Sequence, residues 1–198
     1  VDIGGTFTDV AVKIKDSLYT SKKLTVPNAP EESVLAGISE VLVQADISPS
    51  DVSLIIHGTT LATNAIIERK GAKTAFITTE GFRDVIEMRT ESRFDQYDLN
   101  LNLPDPLVPR DSRFTIKERM SAKGEELIKL DENALLHLTS VLADEKFESI
   151  AIGLLHSYTN PCHELRVRDI LQNSLPHIPT SISSEVSPEI REYERFTT

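Results

Sequence analysis

The first fifteen residues constrain the fold more than any other stretch of the chain. The apolar residues Val1 and Ile3 lead directly into the turn Gly4-Gly5-Thr6. Beyond the turn, apolar residues alternate with other residues from Val10 to Lys15, and a period of two is typical of a β-strand. The sequence therefore predicts a tight hairpin in which two strands flank the glycines. It does not predict the strand-to-helix turn of the better-known phosphate loops.

The composition of this turn suits the binding of an anion. Gly4 and Gly5 lack a Cβ, so the backbone can adopt unusual dihedral angles and approach a ligand closely. Successive amides in such a turn can form a concave anion-binding nest, and Thr6 and Thr8 add hydroxyl donors. We therefore expect phosphate oxygens to bind at the turn.

Two aspartates, Asp2 and Asp9, flank the turn. Because Mg2+ keeps several waters and takes few carboxylates, we expect this pair to hold a hydrated Mg2+ that bridges phosphate oxygens. The residues alone leave an alternative open, since glycine and aspartate are also common in ordinary hairpins. In that alternative the glycines serve only the turn, and the aspartates only cap it.

Composition narrows the classes of function. The chain has 198 residues, 39% of them hydrophobic and 26% charged, which is ordinary globular composition. A formal net charge of −10 argues against a non-specific nucleic-acid role, for which a basic stripe is expected. No apolar run approaches the length of a membrane span, and Cys162 is the only cysteine, so no disulfide can form within the chain. We therefore expect a cytoplasmic protein without nucleic-acid or membrane partners.

Periodicity and turn signals predict alternating strands and helices along the rest of the chain. Predicted strands cover residues 18–26, 52–56, 73–78, 149–155 and 178–183, and predicted helices cover residues 31–45, 131–145 and 160–175. Shorter helices are expected from Thr59 or Thr60 to Gly71, before Met88 and after Pro188, and a hairpin of residues 113–120 with 126–130 is expected around Lys123-Gly124. This rhythm predicts an α/β fold with a mixed or parallel sheet.

A second polar stretch follows the predicted strand at residues 52–56. His57-Gly58-Thr59-Thr60 leads into a predicted helix that carries Asn64. Amides and hydroxyls at such a junction lie at the carboxyl edge of the sheet, where ligands of α/β proteins tend to bind. The alternative is that the threonines only cap the helix and that His57 lies in the core.

A proline-rich loop in the middle of the chain carries Arg89, Arg93 and Arg110. Long irregular loops in compact domains are commonly functional or are linkers. One interpretation is that one of these arginines faces an anionic substrate or a phosphate. The other is a solvated position or a local salt bridge with Glu91 or Asp95.

The sequence does not support several familiar chemistries. It contains neither Gly-x-Gly-x-x-Gly nor Gly-x-x-x-x-Gly-Lys, which excludes the Rossmann and P-loop nucleotide sites. His163-Glu164 resembles the start of a zinc helix, but Val167 stands where the second histidine is needed. His156, Cys162 and His163 lack a second Cys/His pair, so a metal site there is not favoured.

Longer motifs point to a family. Asp-x-Gly-Gly-Thr-x-x-Asp, from Asp2 to Asp9, is similar to the first phosphate motif of the ATPase superfamily that includes actin and the sugar kinases. The chain as a whole resembles the N-terminal domain of the family that comprises hydantoinase A, 5-oxoprolinase and the acetone carboxylase β subunit. The blocks that carry this resemblance are Val1–Val10, His57–Ala65, Thr79–Asp84, Pro106–Arg110, Asn160–Glu164 and Ser187–Arg195.

The resemblance implies an actin-like ATPase fold of the ribonuclease H type, with a mixed sheet flanked by helices, in the N-terminal part of a longer protein. It implies an N-terminal domain at residues 1–183 and the start of a following hydantoinase A domain at residues 184–198. The superfamily's second phosphate loop and adenosine site belong to later sequence. We therefore expect the 198 residues alone to bind ATP weakly and to be inactive.

The resemblance also implies a function, the ATP-dependent hydrolytic opening of a cyclic amide of the hydantoin or 5-oxoproline type. Phosphoryl transfer from ATP would activate the amide, often with the help of a hydantoinase B-type subunit or domain. The implied cofactors are ATP and Mg2+, and the full-length protein is expected to be oligomeric. The alternatives are the ATP-using subunit of an acetone-type carboxylase and a non-catalytic actin-like module that binds nucleotide.

The implied site falls on two groups of residues. The residues expected to bind phosphate are Asp2, Gly4, Gly5, Thr6, Thr8 and Asp9, of which Asp2 and Asp9 also hold Mg2+ through water. The candidates for a catalytic or substrate-binding role are His57, Thr59, Thr60 and Asn64, to which the proline-rich loop adds Arg89.

Overall fold

The computed structural model describes residues 1–90, 97–98, 100 and 103–198. The chain divides into two compact units, Val1–Lys70 and Gly71–Thr198. Each unit contains its own sheet and its own helices. No helix in the described ranges is both long enough and apolar enough to cross a membrane.

The first unit is built on a four-stranded sheet and one long helix. Its elements are β1 (Asp2–Ile3), β2 (Phe7–Ile14), β3 (Ser17–Leu24), α1 (Pro30–Ala45), β4 (Gly58–Thr59) and α2 (Leu61–Ile67), with a 3-10 helix at Pro49–Asp51. The strand order is β3-β2-β1-β4. β2 runs antiparallel to β1 and β3, whereas β4 runs parallel to β1. The sheet is therefore mixed, as the resemblance implied.

The period-two pattern of β2 separates the two faces of this sheet. Thr8 and Val10 are buried on the face that α1 covers, where Val10 lies against Gly37. Phe7 and Asp9 are exposed on the opposite face. Side chains of β2 with odd numbers therefore project from the open face of the sheet.

The second unit contains a parallel four-stranded sheet. Its elements are β5 (Thr74–Thr79), α3 (Val85–Met88), a 3-10 helix (Arg110–Ser112), β6 (Arg113–Ile116), β7 (Arg119–Met120), β8 (Glu126–Ile128), α4 (Glu132–Asp144), β9 (Ser149–Gly153), α5 (Cys162–Ser174), β10 (Thr180–Ile182), α6 (Ser183–Val186) and α7 (Glu192–Phe196). The strand order is β10-β9-β5-β6, and each neighbouring pair is parallel. β7 and β8 form a separate antiparallel pair. The predicted α/β class is confirmed.

The core of the second unit lies between its sheet and the helices α4 and α5. β5 is buried along almost its whole length, as expected for an inner strand of a parallel sheet. Ile77 and Ile150 from the sheet belong to the same buried cluster as Leu135 of α4 and Leu171 of α5. Removal of this apolar surface from water is the main force that stabilises the unit.

The predicted strand at residues 52–56 is wrong. Leu54, Ile55 and Ile56 are 68–75% exposed, and the paired strand of this region is β4, which begins at Gly58. The run precedes β4 along the chain, where Ile56 O accepts a hydrogen bond from the Val1 amino group at 2.9 Å. Residues 52–55 lie beyond the ladder of β1 and β4, which begins at Asp2 and Gly58. The following helix, α2, also ends earlier than predicted, at Ile67.

The predicted hairpin of residues 113–120 with 126–130 is partly wrong. Only Arg119–Met120 pairs with Glu126–Ile128 in an antiparallel ladder. Residues 113–116, the strand β6, join the parallel sheet beside β5 instead. The chain thus changes its partner between β6 and β7, which a continuous run of β-forming residues does not reveal.

Residues 184–198 belong to the second compact unit. Arg195 of α7 is buried, and its Nη2 donates to Leu154 O at 2.9 Å. The Phe196 ring packs against Phe76 with ring centroids 5.3 Å apart. The domain boundary near residue 183 stays a prediction, and the segment beyond it packs here as part of the α/β unit.

Candidate functional site

The predicted hairpin is present and turns at Gly4-Gly5-Thr6 between β1 and β2. Gly4 N donates to Phe7 O at 2.9 Å, which closes the turn. Thr25 N donates to Thr6 O at 2.9 Å from the chain that continues β3. Backbone hydrogen bonds therefore fix both ends of the turn.

Both glycines of the turn lie close to other groups. A Cβ on Gly4 would lie 2.9 Å from Phe7 O, and a Cβ on Gly5 would lie 3.0 Å from Asn64 Nδ2. Phe7 O belongs to the backbone and cannot easily move away, whereas Asn64 Nδ2 is the end of a side chain and can. Gly5 itself is exposed, so a ligand can approach its backbone closely.

The second polar stretch lies directly beside the turn, because β4 pairs with β1. Thr60 N donates to Ile3 O at 3.1 Å, and Asn64 Nδ2 donates to Thr60 Oγ1 at 3.4 Å. Thr59 Oγ1 accepts from the first amide of α2 at 3.2 Å. The structure thus brings Thr60 to Ile3 and Asn64 to Gly5, while the Thr59 hydroxyl accepts from Leu61 N in the turn that precedes α2.

Thr8 is buried and is not the exposed phosphate donor that the sequence suggested, whereas for His57 the structure contradicts only the alternative of a core position. Thr8 is fully buried, and its Oγ1 lies 3.0 Å from Thr25 Oγ1, which donates to Gly4 O at 2.9 Å. Since the Thr25 proton is used on Gly4, Thr8 is the donor of this pair, and its hydroxyl supports the turn from the buried face. His57 is exposed immediately before β4 and does not lie in the core.

Asp2 and Asp9 are directly opposite one another on β1 and β2, and both are exposed. Opposed side chains of an antiparallel pair have Cβ atoms about 5 Å apart, and like charges at this distance repel. A hydrated Mg2+ would relieve the repulsion and needs few direct carboxylate ligands. Within the described part of the chain, no group of three or more His, Cys, Asp or Glu side chains could hold a metal. A cation at this pair would have at most two carboxylate ligands and would need water and phosphate oxygens to complete its coordination.

Arg89 and Arg110 belong to the second unit, and each has a protein partner. Arg110 Nε and Nη2 donate to the two carboxylate oxygens of Asp84 at 2.9 and 3.1 Å. These hydrogen bonds hold the pKa of Asp84 below its ordinary value. Arg89 Nη2 donates to Pro104 O. Glu91, Arg93 and Asp95 lie outside the described residues, so the interpretations that involve them stay predictions.

A buried polar cluster near the carboxyl end of β5 was not predicted. Glu118 is 1% exposed, accepts a hydrogen bond from Thr79 Oγ1, and has Oε2 at 2.7 Å from His163 Nδ1. His163 Nε2 lies 3.1 Å from Glu126 Oε2. The hydrogen bond with Glu118, assisted by the one with Glu126, raises the pKa of His163 above its ordinary value.

Glu164, the next residue, is fully buried and accepts four hydrogen bonds. The donors are the amides of Leu154 and Ser184, each at 2.9 Å, and the hydroxyls of Ser183 and Ser184, each at 2.6 Å. These contacts join the start of α5 to the end of β9 and to α6. His163 and Glu164 therefore have a structural role. In the sequence, only the adjacent His and Glu at a predicted helix start indicated this cluster.

Comparison with known proteins places these motifs in a family. The chain matches the family model described as hydantoinase/oxoprolinase N-terminal region over residues 1–175. It is 35% identical over 232 residues to the 5-oxoprolinase of Saccharomyces cerevisiae, and the match covers 96% of this chain and 18% of the yeast protein.

Two solved structures share the fold. Acetone carboxylase in its nucleotide-free form matches with a TM-score of 0.87 and 28% identity over 100% of this chain and 30% of that one. The ATP-dependent caprolactamase from Pseudomonas jessenii matches with a TM-score of 0.83 and 30% identity over 99% of this chain and 30% of that one. The chain spans less than a third of the length of these relatives. Together with the family match over residues 1–175, these findings show that the chain belongs to the hydantoinase/oxoprolinase N-terminal region family.

Proposed function

We propose that the full-length protein couples ATP hydrolysis to the hydrolytic opening of a cyclic amide of the hydantoin or 5-oxoproline type. The observation that carries this proposal is the glycine turn of the first unit, which has Asn64 against Gly5 and the opposed carboxylates Asp2 and Asp9 at its base. Relatives named 5-oxoprolinase and ATP-dependent caprolactamase support the choice of a cyclic amide.

Transfer of the γ-phosphoryl group to the amide oxygen would release ADP and make the amide carbon a better electrophile for water. Water would then add to this carbon, the ring C–N bond would break with a proton passing to the nitrogen, and inorganic phosphate would leave to give the open-chain carboxylate. Such a transfer needs positioning and charge neutralisation more than covalent chemistry from the protein. In the proposed site, the amides of Gly4 and Gly5 and the hydroxyl of Thr6 hold phosphate oxygens. Asp2 and Asp9 hold Mg2+ through water, and Mg2+ neutralises phosphate charge when it is bound.

The neighbouring residues of the first unit have supporting roles in this proposal. Thr60 and Asn64 keep the glycine turn in place through their contacts with Ile3 and Gly5. Thr8 supports the turn from the buried side. His57 and Thr59 remain candidates for substrate contact in the first unit, and Arg89 is a separate candidate in the second unit. The second phosphate loop and the adenosine contacts are assigned to regions of the full-length protein outside this chain.

A second candidate function is that of the ATP-using subunit of an acetone-type carboxylase. The TM-score of 0.87 with acetone carboxylase, over the whole of this chain, favours it. The phosphate site would be the same in that case, and the activated group would be a ketone in place of a cyclic amide.

Phosphate release from ATP by the full-length protein, together with its B-type subunit or domain, tests the proposal. It would be measured with and without 5-oxoproline, hydantoins and caprolactam. We expect one of these amides to stimulate release and Asp9→Ala to abolish the stimulation. Asp16→Ala is the control, because Asp16 is an exposed aspartate in the turn between β2 and β3. Stimulation only by a ketone with bicarbonate would favour the carboxylase, and nucleotide binding without any stimulation would indicate a non-catalytic module.

A further inference from the structure

Three charged side chains form a row across the sheet of the first unit. The strand registers place Asp2 opposite Asp9 and Asp9 opposite Lys22, and all three residues are exposed. Residues that are opposite one another in paired strands lie on the same face. The row therefore crosses the open face of the sheet, close to the glycine turn.

Lys22 is paired with one carboxylate of this row. Its Nζ lies 3.2 Å from Asp9 Oδ1 and 3.3 Å from Asp9 Oδ2. The two side chains are 58% and 53% exposed, and an ion pair as exposed as this contributes little to folding stability. Lys22 and Asp9 can therefore exchange partners without loss of the fold.

The ammonium group of Lys22 is directed toward the glycine turn. Its Nζ stands over the Phe7 ring, 4.8 Å from the ring centroid. Phe7 lies on the same face as Asp9 but two residues closer to the turn, and its own partner in β3 is Leu24. The Lys22 side chain therefore leans from its position in β3 toward the proposed phosphate site.

We propose that Lys22 is a phosphate-binding residue of this site. The inference rests on the proposed function, since it requires a nucleotide phosphate at the glycine turn. Without nucleotide, Lys22 neutralises Asp9, which otherwise faces the like charge of Asp2. With nucleotide and Mg2+ bound, Asp9 would help to hold the metal, and the Lys22 ammonium would donate to a phosphate oxygen.

The test uses the full-length protein with the variants Lys22→Met and Lys22→Arg. Lys13→Met is the matched control, because Lys13 is exposed on the same face of the sheet but farther from the turn. Isothermal titration would measure three affinities: for Mg2+ without nucleotide, for a non-hydrolysable ATP analogue with Mg2+, and for adenosine.

We expect Lys22→Met to weaken binding of the ATP analogue roughly tenfold, as for the loss of a charge-assisted hydrogen bond. Binding of adenosine should stay unchanged, and Lys22→Arg should retain most of the analogue affinity because it keeps the charge. Binding of Mg2+ without nucleotide should become tighter in Lys22→Met, since Asp9 has lost a competing cation. Lys13→Met should change none of the three affinities.

Unchanged binding of the analogue by Lys22→Met overturns the inference. An equal loss of affinity for the analogue and for adenosine also overturns it, because such a loss would indicate a role in folding. Weaker Mg2+ binding by Lys22→Met also contradicts it. If the wild-type protein binds no analogue, the proposed function fails, and the assignment of Lys22 fails with it. If the wild type binds the analogue and Lys22→Met binds it equally well, only the assignment of Lys22 fails.

Discussion

Glu118 Oε2 lies 2.7 Å from His163 Nδ1, although the two residues are 45 positions apart in the sequence. The other ring nitrogen of His163 lies 3.1 Å from Glu126 Oε2. Both ring nitrogens therefore face carboxylate oxygens, which accept hydrogen bonds and favour the protonated imidazole. These contacts connect α5 to the hairpin of β7 and β8.

The first prediction concerns the pH dependence of stability. The pKa of His163 is raised in the folded state above its ordinary value of 6.5, chiefly by the hydrogen bond with Glu118. Its contribution to the free energy of unfolding is therefore fully present below about pH 6.5 and is lost as the pH rises through the folded-state pKa. Urea unfolding at about pH 5.5 and about pH 8.5 should show that His163→Gln removes this part of the pH dependence. The exposed residue His137 provides the control His137→Gln, and an equal loss of stability at both pH values would contradict the prediction.

The second prediction concerns the buried carboxylate of Glu164. Glu164→Ala removes the acceptor of four hydrogen bonds and leaves the amides of Leu154 and Ser184 without it. Since each buried donor left without a partner costs about 1–3 kcal/mol, we expect the free energy of unfolding to fall by roughly 3 kcal/mol or more. Glu164→Gln keeps one acceptor oxygen and should lose less. The exposed Glu125→Ala should change stability by less than about 0.5 kcal/mol, and a similarly small effect of Glu164→Ala in urea unfolding would refute the prediction.

Elements specified by local sequence could be predicted closely. The alternation after Gly5 and the apolar spacing of the first helix depend only on neighbouring residues, and the predicted helix at residues 31–45 is α1, Pro30–Ala45. The contact between Asn64 and Gly5 is different, because it depends on the pairing of β4 with β1. No local pattern specifies which strand lies beside a hairpin.

The misassigned strand at residues 52–56 has the same origin, since tertiary pairing decides whether an apolar run becomes a strand. Residues 52–56 have the apolarity of a buried strand, but they lie beyond the ladder of β1 and β4, and Leu54, Ile55 and Ile56 are exposed. For His163-Glu164 the sequence did not favour a metal site, but it could not supply the partners of His163 either, because only tertiary packing brings Glu118 and Glu126 near. Residue type therefore indicated where polar chemistry lies, whereas the three-dimensional neighbours decide what that chemistry does.

The third prediction concerns the space around the glycine turn. Gly4→Ala should destabilise the first unit by about 1–3 kcal/mol, because the new Cβ would lie 2.9 Å from Phe7 O. The Cβ of Gly5→Ala would meet only the Asn64 side chain. Adding Asn64→Ala should therefore recover part of the stability that Gly5→Ala loses. Nothing lies within 4 Å of a Cβ on Gly71, which makes Gly71→Ala the control. Unfolding experiments on the single and double variants would contradict the prediction if the effects of Gly5→Ala and Asn64→Ala were simply additive.

The fourth prediction concerns the ion pair of Asp84 and Arg110, which joins two of the sequence blocks that carry the family resemblance. Both guanidinium hydrogen bonds, at 2.9 and 3.1 Å, hold residues 106–110 against the segment before α3. Arg110→Ala should therefore increase hydrogen exchange in residues 103–112. The exchange of charges in Asp84→Arg/Arg110→Asp should restore part of the protection. Arg166→Ala is the matched control and should leave exchange in residues 103–112 unchanged. Arg166 makes the same bidentate ion pair, with Glu132, but between α4 and α5.

The pH dependence of hydrogen exchange shows whether the ion pair or the proline-rich backbone protects this loop. The hydrogen bonds from Arg110 lower the pKa of Asp84, so the protection that they provide is present above the unfolded-state pKa and is lost as the pH falls through the folded-state value. Wild-type exchange in residues 103–112, corrected for the intrinsic effect of pH, should therefore approach that of Arg110→Ala in acid. Protection that persists in acid, or that survives Arg110→Ala at neutral pH, would mean that the stiff proline backbone holds the loop without the ion pair.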